Sequence, residues 1–252
     1  TETNNEGTLE FNDVTFIYPD GEEAVIKNVS FKARKGETIA FIGSTGSGKS
    51  TLINLIPRFY DVTNGSIKID GVDVRDFELK SLRKKIGFIR QKNLLFTGSI
   101  KSNIKFGKHE ASYDEIVHSA KVAQAYDFIS KKEKGFDEPI GEGGANVSGG
   151  QKQRLSIARA LVRKPEIYIF DDSFSALDFK TDAILRAELK KETTDAIVLI
   201  VAQRIGSIMD ADKIIVLDEG EVVGIGKHKE LLKTCSIYKE IALSQLTEEE
   251  LA

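Results

Sequence analysis

The sequence contains a segment that has the residues of a phosphate-binding loop. Residues 43–50 read GSTGSGKS, which fits the pattern G-x-x-x-x-G-K-[ST] in a strand–loop–helix context. The glycines allow backbone N–H groups to curl around phosphate oxygens, and the following helix adds the positive end of its dipole. Lys49 would bring positive charge to the β- and γ-phosphates, and Ser50 a hydroxyl ligand for Mg²⁺. The loop predicts a nucleotide site, and its context disfavours the alternative of a glycine-serine turn with a chance lysine.

Two adjacent acids follow an apolar segment later in the chain. The segment EIYIFD at 166–171 ends in Asp171, and Asp172 comes next. A bound Mg²⁺ needs a carboxylate, directly or through water, and Asp171 at the end of its strand is the natural one. A simple strand-end turn acid is the alternative, which the phosphate loop disfavours.

Strand-like and helix-like segments alternate along most of the chain. Buried strands are predicted for TIAFIG (38–43), KIGFIRQ (85–91), EIYIFD (166–171), AIVLIVAQ (196–203) and KIIVLD (213–218). Apolar strands that alternate with helices indicate a mainly parallel sheet covered on both faces.

Other segments predict two further parts of an α/β fold. The first 30 residues alternate apolar and polar side chains around a PDGEE turn, and SIKID turns at Gly71, as antiparallel hairpins do. Between about 110 and 163 the periodicity is helical, and the tail reads as helices with an acidic end. We therefore expect an antiparallel β subdomain and an α-helical subdomain beside the parallel sheet.

Composition limits the classes of function. The 252 residues carry a net charge of −3, which gives no bulk indication of a nucleic-acid partner. The lone Cys235 excludes an internal disulfide framework and fits a reducing compartment; it is expected to be a packing or surface residue. The three histidines, His109, His118 and His228, are expected at the surface. No apolar run approaches the roughly 20 residues of a spanning helix. The chain begins at Thr1 without an initiator Met, so we expect a piece of a longer polypeptide.

A second anion site is predicted far along the chain. NVSGGQKQRLSIARAL at 146–161 places Ser148 and two glycines at the start of a basic helix, where N–H groups and a hydroxyl are free to bind an anion. A single chain rarely needs two such sites for one nucleotide. Two copies that face each other could share them. Helix capping alone would explain Ser148, but not the following GGQ.

These segments together resemble the ATP-binding cassettes of ABC transporters. VSGGQ is similar to the signature motif of that family, and the phosphate loop and IYIFDD match two other hallmarks. SALD at 175–178 matches the D-loop at the dimer interface, and QKNLLFTGSIKSNIKFG resembles the Q-loop region of exporters. The resemblance covers essentially the whole chain. It implies a P-loop NTPase (RecA-like) core and a single ABC ATPase domain over 1–252 that binds ATP and Mg²⁺.

The same resemblance divides the domain into three parts. Residues 1–90 would form the antiparallel β subdomain and the phosphate-loop part of the core. Residues 91–160 would hold the Q-loop and the helical subdomain with the signature. Residues 161–252 would form the rest of the core and the C-terminal helices.

The resemblance also assigns roles to individual residues. Tyr18 would stack on adenine, its alternative being a strand-surface tyrosine, and Gln91 would contact Mg²⁺ and signal to a membrane domain. The metal ligands would be Ser50, Gln91 and Asp171, and the catalytic residues Lys49, Asp172 and Gln203. The nucleotide-binding residues would be Tyr18, Gly43, Ser44, Thr45, Gly46, Ser47, Gly48, Lys49, Ser50, Thr51 and Gln91, with Ser148, Gly149, Gly150 and Gln151 serving the ATP of a partner.

Two positions depart from the family pattern. Asp172 stands where the family has its catalytic Glu, and it reaches about 1.3–1.5 Å less far. Gln203 stands where the family has its switch His, and an amide cannot carry an imidazolium charge. A general base must lie within hydrogen-bond reach of the attacking water, so both changes together indicate firm ATP binding with slow hydrolysis.

The intact VSGGQ and the altered acid imply a heterodimer with two unequal sites, similar to heterodimeric bacterial multidrug-type exporters. The partner would be a second ATP-binding domain holding Glu and His. Transmembrane domains of the same polypeptide and of the partner would precede Thr1 and set the chain at the cytoplasmic face of the cell membrane. The alternatives are a regulatory nucleotide-binding module without useful hydrolysis, or a soluble ABC ATPase that does not transport.

Overall fold

The computed structural model describes residues 7–92 and 94–247 of the chain. Its strands, numbered in chain order, are β1 (Thr8–Phe16), β2 (Ile26–Arg34), β3 (Thr38–Gly43), β4 (Asn64–Ile69), β5 (Val72–Asp73), β6 (Ile86–Ile89), β7 (Gly98–Ser99), β8 (Pro139–Ile140), β9 (Ile167–Asp171), β10 (Ile197–Val201), β11 (Lys213–Asp218) and β12 (Glu221–Gly226). Its helices are α1 (Lys49–Asn54), α2 (Leu79–Lys84), α3 (Ile100–Lys105), α4 (Tyr113–Val122), α5 (Tyr126–Ser130), α6 (Gly149–Leu161), α7 (Phe179–Glu192), α8 (His228–Thr234) and α9 (Ser236–Gln245).

A mainly parallel sheet forms the centre of the molecule. Its strand order is β12-β11-β3-β10-β9-β6. Neighbouring strands from β11 to β6 are parallel, and β12 pairs antiparallel with β11 at one edge. The predicted parallel sheet is therefore confirmed, and its strand order brings the carboxyl ends of β3, β10 and β9 side by side.

The central strands are apolar along their length because both faces of the sheet are covered. In β3, Ile39 and Phe41 belong to one buried cluster, whereas Ala40 and Ile42 belong to the cluster on the other side. All four side chains are at most 1% exposed. The strands that carry the site therefore lie inside two hydrophobic layers, which fixes the position of their ends.

The two predicted hairpins join in one antiparallel sheet of order β2-β1-β4-β5. β1 pairs with both β2 and β4, and its side chains Leu9, Phe11, Val14 and Phe16 are buried. They pack in the same cluster as Ile39 and Phe41 of the parallel sheet. The antiparallel sheet thus covers one face of the core, while α6 and α9 contribute to the cluster on the other face.

Two helical segments are shorter than their periodicity predicts. The segment after the phosphate loop reads as helical through residue 60, yet α1 ends at Asn54. Pro57 disfavours helical backbone in the residue before it, so the last turn is irregular. The segment at 113–131 divides into α4 and α5, with Gln124 between them at a φ of 57°.

The expectation that His228 is a surface residue is wrong. His228 is 6% exposed, and its Nδ1 lies 2.7 Å from the hydroxyl of Tyr238, which is itself fully buried. Helix α9 covers this corner, so the ring is enclosed by protein. His109 and His118 are exposed as predicted, and Cys235 is a buried packing residue.

The acidic end predicted after α9 lies largely outside the described residues. Among the helices that the structure describes, none combines the length and the apolar character that a membrane span requires.

Candidate functional site

The predicted site lies at the carboxyl edge of the parallel sheet. The phosphate loop follows β3, Asp171 ends β9, and Gln203 comes two residues after β10. The three strands stay paired up to their carboxyl ends. Val201 pairs with both Phe41 and Asp171, and the N–H of Asp172 donates to the carbonyl of Val201 across 2.9 Å. Parallel strands end together, and this is why segments far apart in sequence meet.

A cavity of about 320 Å³ opens at this edge. It is lined by Gly43, Ser44, Thr45, Gly46, Lys49, Ser50, Gln91, Asp171, Asp172, Val201, Gln203, Ile241 and Gln245. Ten of these thirteen residues are ones that sequence motifs predicted. The structure therefore gathers the phosphate loop, both acids and both predicted glutamines around one space.

The backbone of the phosphate loop adopts conformations that glycine accepts most readily. Gly46 has a φ of 81° and Gly48 a φ of 102°, both in the left-handed region. A Cβ on Gly43 would lie 2.1 Å from the carbonyl oxygen of Leu217, so only glycine fits where β3 passes β11. These positions curl the loop into a cradle whose N–H groups suit phosphate oxygens.

Lys49 folds over the loop from which it arises. Its Nζ donates to the carbonyls of Gly43 and Ser44, at 2.8 and 2.9 Å, and to the hydroxyl of Ser47 at 3.2 Å. Burial lowers the pKa of Lys49, and the nearby carboxylates of Asp172 and Asp171 oppose that shift. The ammonium is thus held at the floor of the cavity, within the field of both acids.

Ser50 and Asp171 form the oxygen pair expected of a magnesium site. The hydroxyl of Ser50 donates to Oδ1 of Asp171 across 3.1 Å. Burial raises the pKa of Asp171, while the Ser50 hydrogen bond and the charges of Arg90 and Lys49 lower it. Among the described residues, no cluster of three or more His, Cys, Asp or Glu is placed to hold a metal. A hydroxyl and a carboxylate fit Mg²⁺ bound mainly through phosphate and water oxygens.

Asp172 faces the glutamine of the predicted Q-loop. Gln91 donates from Nε2 to Oδ2 of Asp172 across 3.0 Å. Burial raises the pKa of Asp172, and the charge of Asp171 raises it further, against the opposing charges of Arg204 and Lys49. The φ of Asp172 is 49°, a left-handed conformation that Asp tolerates better than longer side chains do.

Tyr18 lies beside a second, adjoining cavity of about 210 Å³. This cavity is lined by Val25, Gly46, Gly48, Lys49, Ser50 and Thr51, so it shares three residues with the first. The hydroxyl groups of Tyr18 and Thr51 lie 2.8 Å apart, and the partly exposed ring meets Phe16 and Tyr60 edge-on. Tyr18 therefore contacts this second cavity through Thr51, one of its lining residues.

The predicted signature segment lies at the start of α6 and does not line the cavity among the residues described. Ser148 and Gln151 form a reciprocal capping box: each side chain accepts a hydrogen bond from the other residue's backbone N–H, at 3.2 and 3.1 Å. This cap accounts for Gln151 as well as Ser148, which the sequence argument did not anticipate. The two glycines are not part of the cap, and space within 4 Å of a Cβ built on Gly149 is open.

Four residues that line the site were not predicted as site residues, and one of them, Val201, is the last residue of β10. Val25 lies in the loop before β2, while Ile241 and Gln245 lie on α9, near the end of the chain. Gln245 hydrogen-bonds to the backbone on either side of Arg204. No motif marks these positions, and only the packing of α9 against the parallel sheet brings Gln245 to the site.

Comparisons with known proteins agree with this geometry. The family model described as ABC transporter matches residues 26–175. A putative multidrug export ATP-binding/permease protein of Staphylococcus aureus (strain NCTC 8325 / PS 47) is 45% identical over 236 residues, covering 94% of this chain and 41% of that protein. An uncharacterized ABC transporter ATP-binding protein of Bacillus subtilis (strain 168), YfiB, is 48% identical over 243 residues, covering 96% of this chain and 42% of that protein.

A solved structure has the same fold. The structure of a bacterial Atm1-family ABC exporter with ATP bound superposes with a TM-score of 0.91 at 36% identity, covering 96% of this chain and 42% of that one. The chain thus spans about two fifths of the length of the relatives it matches. Its core has the P-loop NTPase fold. The chain belongs to the ABC transporter family, as an ATP-binding domain with homology to bacterial multidrug exporters.

Proposed function

We propose that this chain is the ATP-binding and ATP-hydrolysing domain of an exporter, and that its own site is degenerate. The observation that carries the proposal is the single cavity that joins the phosphate loop, the Ser50–Asp171 pair and the Gln91–Asp172 pair. Transmembrane segments of the same polypeptide and a second ATP-binding domain would complete the transporter, with this domain at the cytoplasmic face of the cell membrane.

Each predicted residue has a role in binding MgATP. The N–H groups of the loop and the ammonium of Lys49 would hold the β- and γ-phosphates. Ser50, Asp171 and Gln91 would hold Mg²⁺, directly or through water, and the metal would neutralise phosphate charge. Tyr18 would stack on the base beside the adjoining cavity, since a flat, partly exposed ring next to Thr51 suits adenine.

Slow hydrolysis follows from Asp172 as the general base. Its carboxylate is about 1.3–1.5 Å shorter in reach than a glutamate at the same backbone position. The hydrogen bond from Gln91 also engages Oδ2 of Asp172. A displacement of about 1 Å from the attacking water can cost on the order of 10²-fold in rate. Gln203 would slow hydrolysis further, because its neutral amide would contact the γ-phosphate without a positive charge.

The intact signature supports a second, unequal site. Ser148, Gly149, Gly150 and Gln151 lie away from the cavity of their own chain, at the start of a 13-residue helix. A helix N-terminus with open space at Gly149 suits the phosphate of another molecule. We propose that these residues complete a competent site on a partner that carries Glu and His where this chain has Asp172 and Gln203.

We further propose that the three-part division of 1–252 serves coupling to the membrane. A groove of about 740 Å³ lies between α2 and β6 of the first part and, in the second, α6 and the residues that follow α3. Apolar Leu79, Phe88 and Phe106 line it together with Arg83 and Arg159. β6 leads from this groove to Gln91, so a cytoplasmic segment of the transmembrane part seated here could shift the Gln91–Asp172 contact.

The test is a titration of the purified chain with MgATP, together with its rate of phosphate release. We expect saturable MgATP binding at one site per chain, with phosphate release far slower than the roughly 10 s⁻¹ of a typical enzyme. Rapid hydrolysis by the chain alone would refute the degenerate site, and absence of MgATP binding would refute the proposal as a whole.

A mixing experiment tests the pairing. Ser148→Ala is expected to leave MgATP affinity of this chain unchanged, but to slow hydrolysis by a Glu- and His-containing partner domain mixed with it. Single-turnover hydrolysis at this chain's own site, with the partner's site disabled, separates an enzyme from a regulatory module. A site that retains ATP through many partner turnovers would favour the regulatory alternative.

A further inference from the structure

The C-terminal helix holds the segment that carries Gln203. The side-chain amide of Gln245, the last residue of α9, makes two hydrogen bonds to that segment. Its Oε1 accepts from the N–H of Ile205 across 2.8 Å, and its Nε2 donates to the carbonyl of Gln203 across 2.6 Å. The backbone groups fix the orientation of the amide, because an N–H must meet the oxygen and a carbonyl must meet the nitrogen.

Helix α9 is itself firmly placed. Tyr238 and Ala242 are fully buried, and Ile241 and Leu246 pack against the core cluster that includes Ala40 and Ile42. The N–H of Leu246 donates to the carbonyl of Ala242 across 2.9 Å, which continues the helical bonding past Gln245. The position of the Gln245 amide is therefore fixed by the packing of α9 against the core.

The opposite side of the same segment is tied to the D-loop and to α7. The guanidinium of Arg204 donates to the carbonyl of Phe174 across 2.5 Å and to that of Leu177, in the D-loop, across 3.4 Å. The hydroxyl of Ser207 donates to Oδ2 of Asp182 across 2.8 Å, and Asp182 is 3% exposed. Residues 203–207 are thus held from two sides, and the exposed side chain of Gln203 lines the cavity from a fixed backbone.

We propose that Gln245 is a positioning residue for Gln203: by holding the backbone of residues 203 and 205, it directs the Gln203 amide towards the γ-phosphate end of the cavity. The inference rests on the proposed function for the role of the γ-phosphate, but the contact itself is independent of nucleotide. Replacement of a residue that acts through Gln203 should change the affinity for ATP, which has a γ-phosphate, but not the affinity for ADP, which lacks one.

The first test reads the contact directly. Hydrogen exchange at the Ile205 amide is compared between the unmodified chain, Gln245→Met and Ser244→Ala. Met keeps the length of Gln without an amide, and Ser244, whose hydroxyl bonds to the carbonyl of Ile241 on the same helix end, serves as the control. We expect exchange at Ile205 to become about 2- to 10-fold faster in Gln245→Met and to stay unchanged in Ser244→Ala. Unchanged exchange in Gln245→Met would overturn the inference.

The second test reads the functional consequence with a double-mutant cycle. Affinities for a non-hydrolysable ATP analogue and for ADP are measured in Gln245→Met, Gln203→Ala and the double variant. We expect Gln245→Met to weaken the affinity for the analogue about 2- to 10-fold, to leave the affinity for ADP unchanged, and to add no further loss in the Gln203→Ala background. Parallel loss of both nucleotides, or additive losses, would overturn the positioning role.

The two tests separate the inference from the proposed function. If the unmodified chain bound ADP and the ATP analogue equally, the proposed γ-phosphate contact of Gln203 would be refuted. The exchange of Ile205 would still show whether Gln245 holds the backbone. If exchange responded to Gln245→Met but analogue binding did not, the assignment of Gln245 to nucleotide positioning would be overturned.

Discussion

The side-chain amide of Gln91 donates a hydrogen bond to the carboxylate of Asp172 across 3.0 Å, although 81 positions separate the two residues in the sequence. One acceptor oxygen of the acid that would activate water is therefore engaged by the residue that would report on the membrane domain. On the proposed function, a movement of Gln91 would change the hydrogen bonding of the carboxylate that acts as general base.

Lengthening this acid is expected to raise hydrolysis. Asp172→Glu should increase phosphate release by about 10- to 100-fold, because the added methylene restores reach towards the attacking water. Phosphate release is measured at saturating MgATP and at several protein concentrations, since in the proposed arrangement a second copy would supply the signature segment. Asp172→Asn is the inactive control. A Glu variant that binds MgATP normally and hydrolyses as slowly as the parent would contradict the assignment of Asp172.

Neutralising the acid is expected to stabilise the fold at neutral pH. Burial and the charge of Asp171 raise the pKa of Asp172 above its ordinary value. A raised pKa in the folded state contributes stability that is complete below the unfolded value of about 3.9 and is lost as pH rises through the folded value. Without nucleotide, Asp172→Asn should therefore melt at a higher temperature than the parent at pH 7, and the difference should vanish below about pH 4.

Asp61→Asn provides a control of opposite sign. The hydrogen bond from Arg58 lowers the pKa of Asp61, so its contribution to stability is present above the unfolded pKa and lost as pH falls. We expect a small decrease in melting temperature at pH 7, since Asp61 is exposed. Melting curves at pH 4 and pH 7 measure both variants. A lower melting temperature for Asp172→Asn at pH 7 would contradict the expected electrostatic penalty.

Removing the loop lysine is expected to weaken MgATP binding. Lys49→Ala loses a charged donor to the phosphates, and with it about 10- to 100-fold in affinity. It also removes the three hydrogen bonds that hold Gly43, Ser44 and Ser47, so the loop should exchange backbone hydrogens faster. Calorimetric titration measures the affinity, with Lys101→Ala as the control, because Lys101 pairs with Asp137 on a distant surface. Equal affinities in the two variants would exclude the predicted role of Lys49.

The ring and the hydroxyl of Tyr18 are expected to contribute differently. Tyr18→Phe keeps the ring and loses only the contact with Thr51, so MgATP affinity should change by less than about threefold. Tyr18→Ala removes the stacking surface and should weaken binding by about fivefold or more. Fluorescent adenine nucleotides provide the measurement. Equal losses in both variants would assign the effect to the hydroxyl instead, and no loss in either would leave Tyr18 a surface residue of the segment that follows β1.

Much of the site follows from the alternation of apolar strands and loops. Parallel strands end at one edge of a sheet, so the loop after β3, the acid that ends β9 and the glutamine after β10 could be expected to meet there. The motif spacing supplied the residue types. Sequence does not carry the strand order, because each central strand is apolar on both faces and pairs equally well with several neighbours. That β10 lies between β3 and β9 is a result of the fold.

Residues that reach their place only through tertiary packing could not be predicted from the sequence. Gln245 lies on an amphipathic helix with no local feature to distinguish it from other exposed polar residues, and only the docking of α9 brings it to Gln203. His228 was expected at the surface because one histidine in a polar segment gives no periodic signal. Its burial against Tyr238 depends on the same helix.

The order of strands in the parallel sheet determines how nucleotide binding is lost during thermal unfolding. The loop, Asp171 and Gln203 are carried by β3, β9 and β10, which are hydrogen-bonded neighbours at the centre of the parallel sheet. Core strands open only in cooperative units of high free energy. Partial unfolding at the β12 edge should therefore leave nucleotide binding intact, and the capacity to bind should disappear in a single step with the melting of the core.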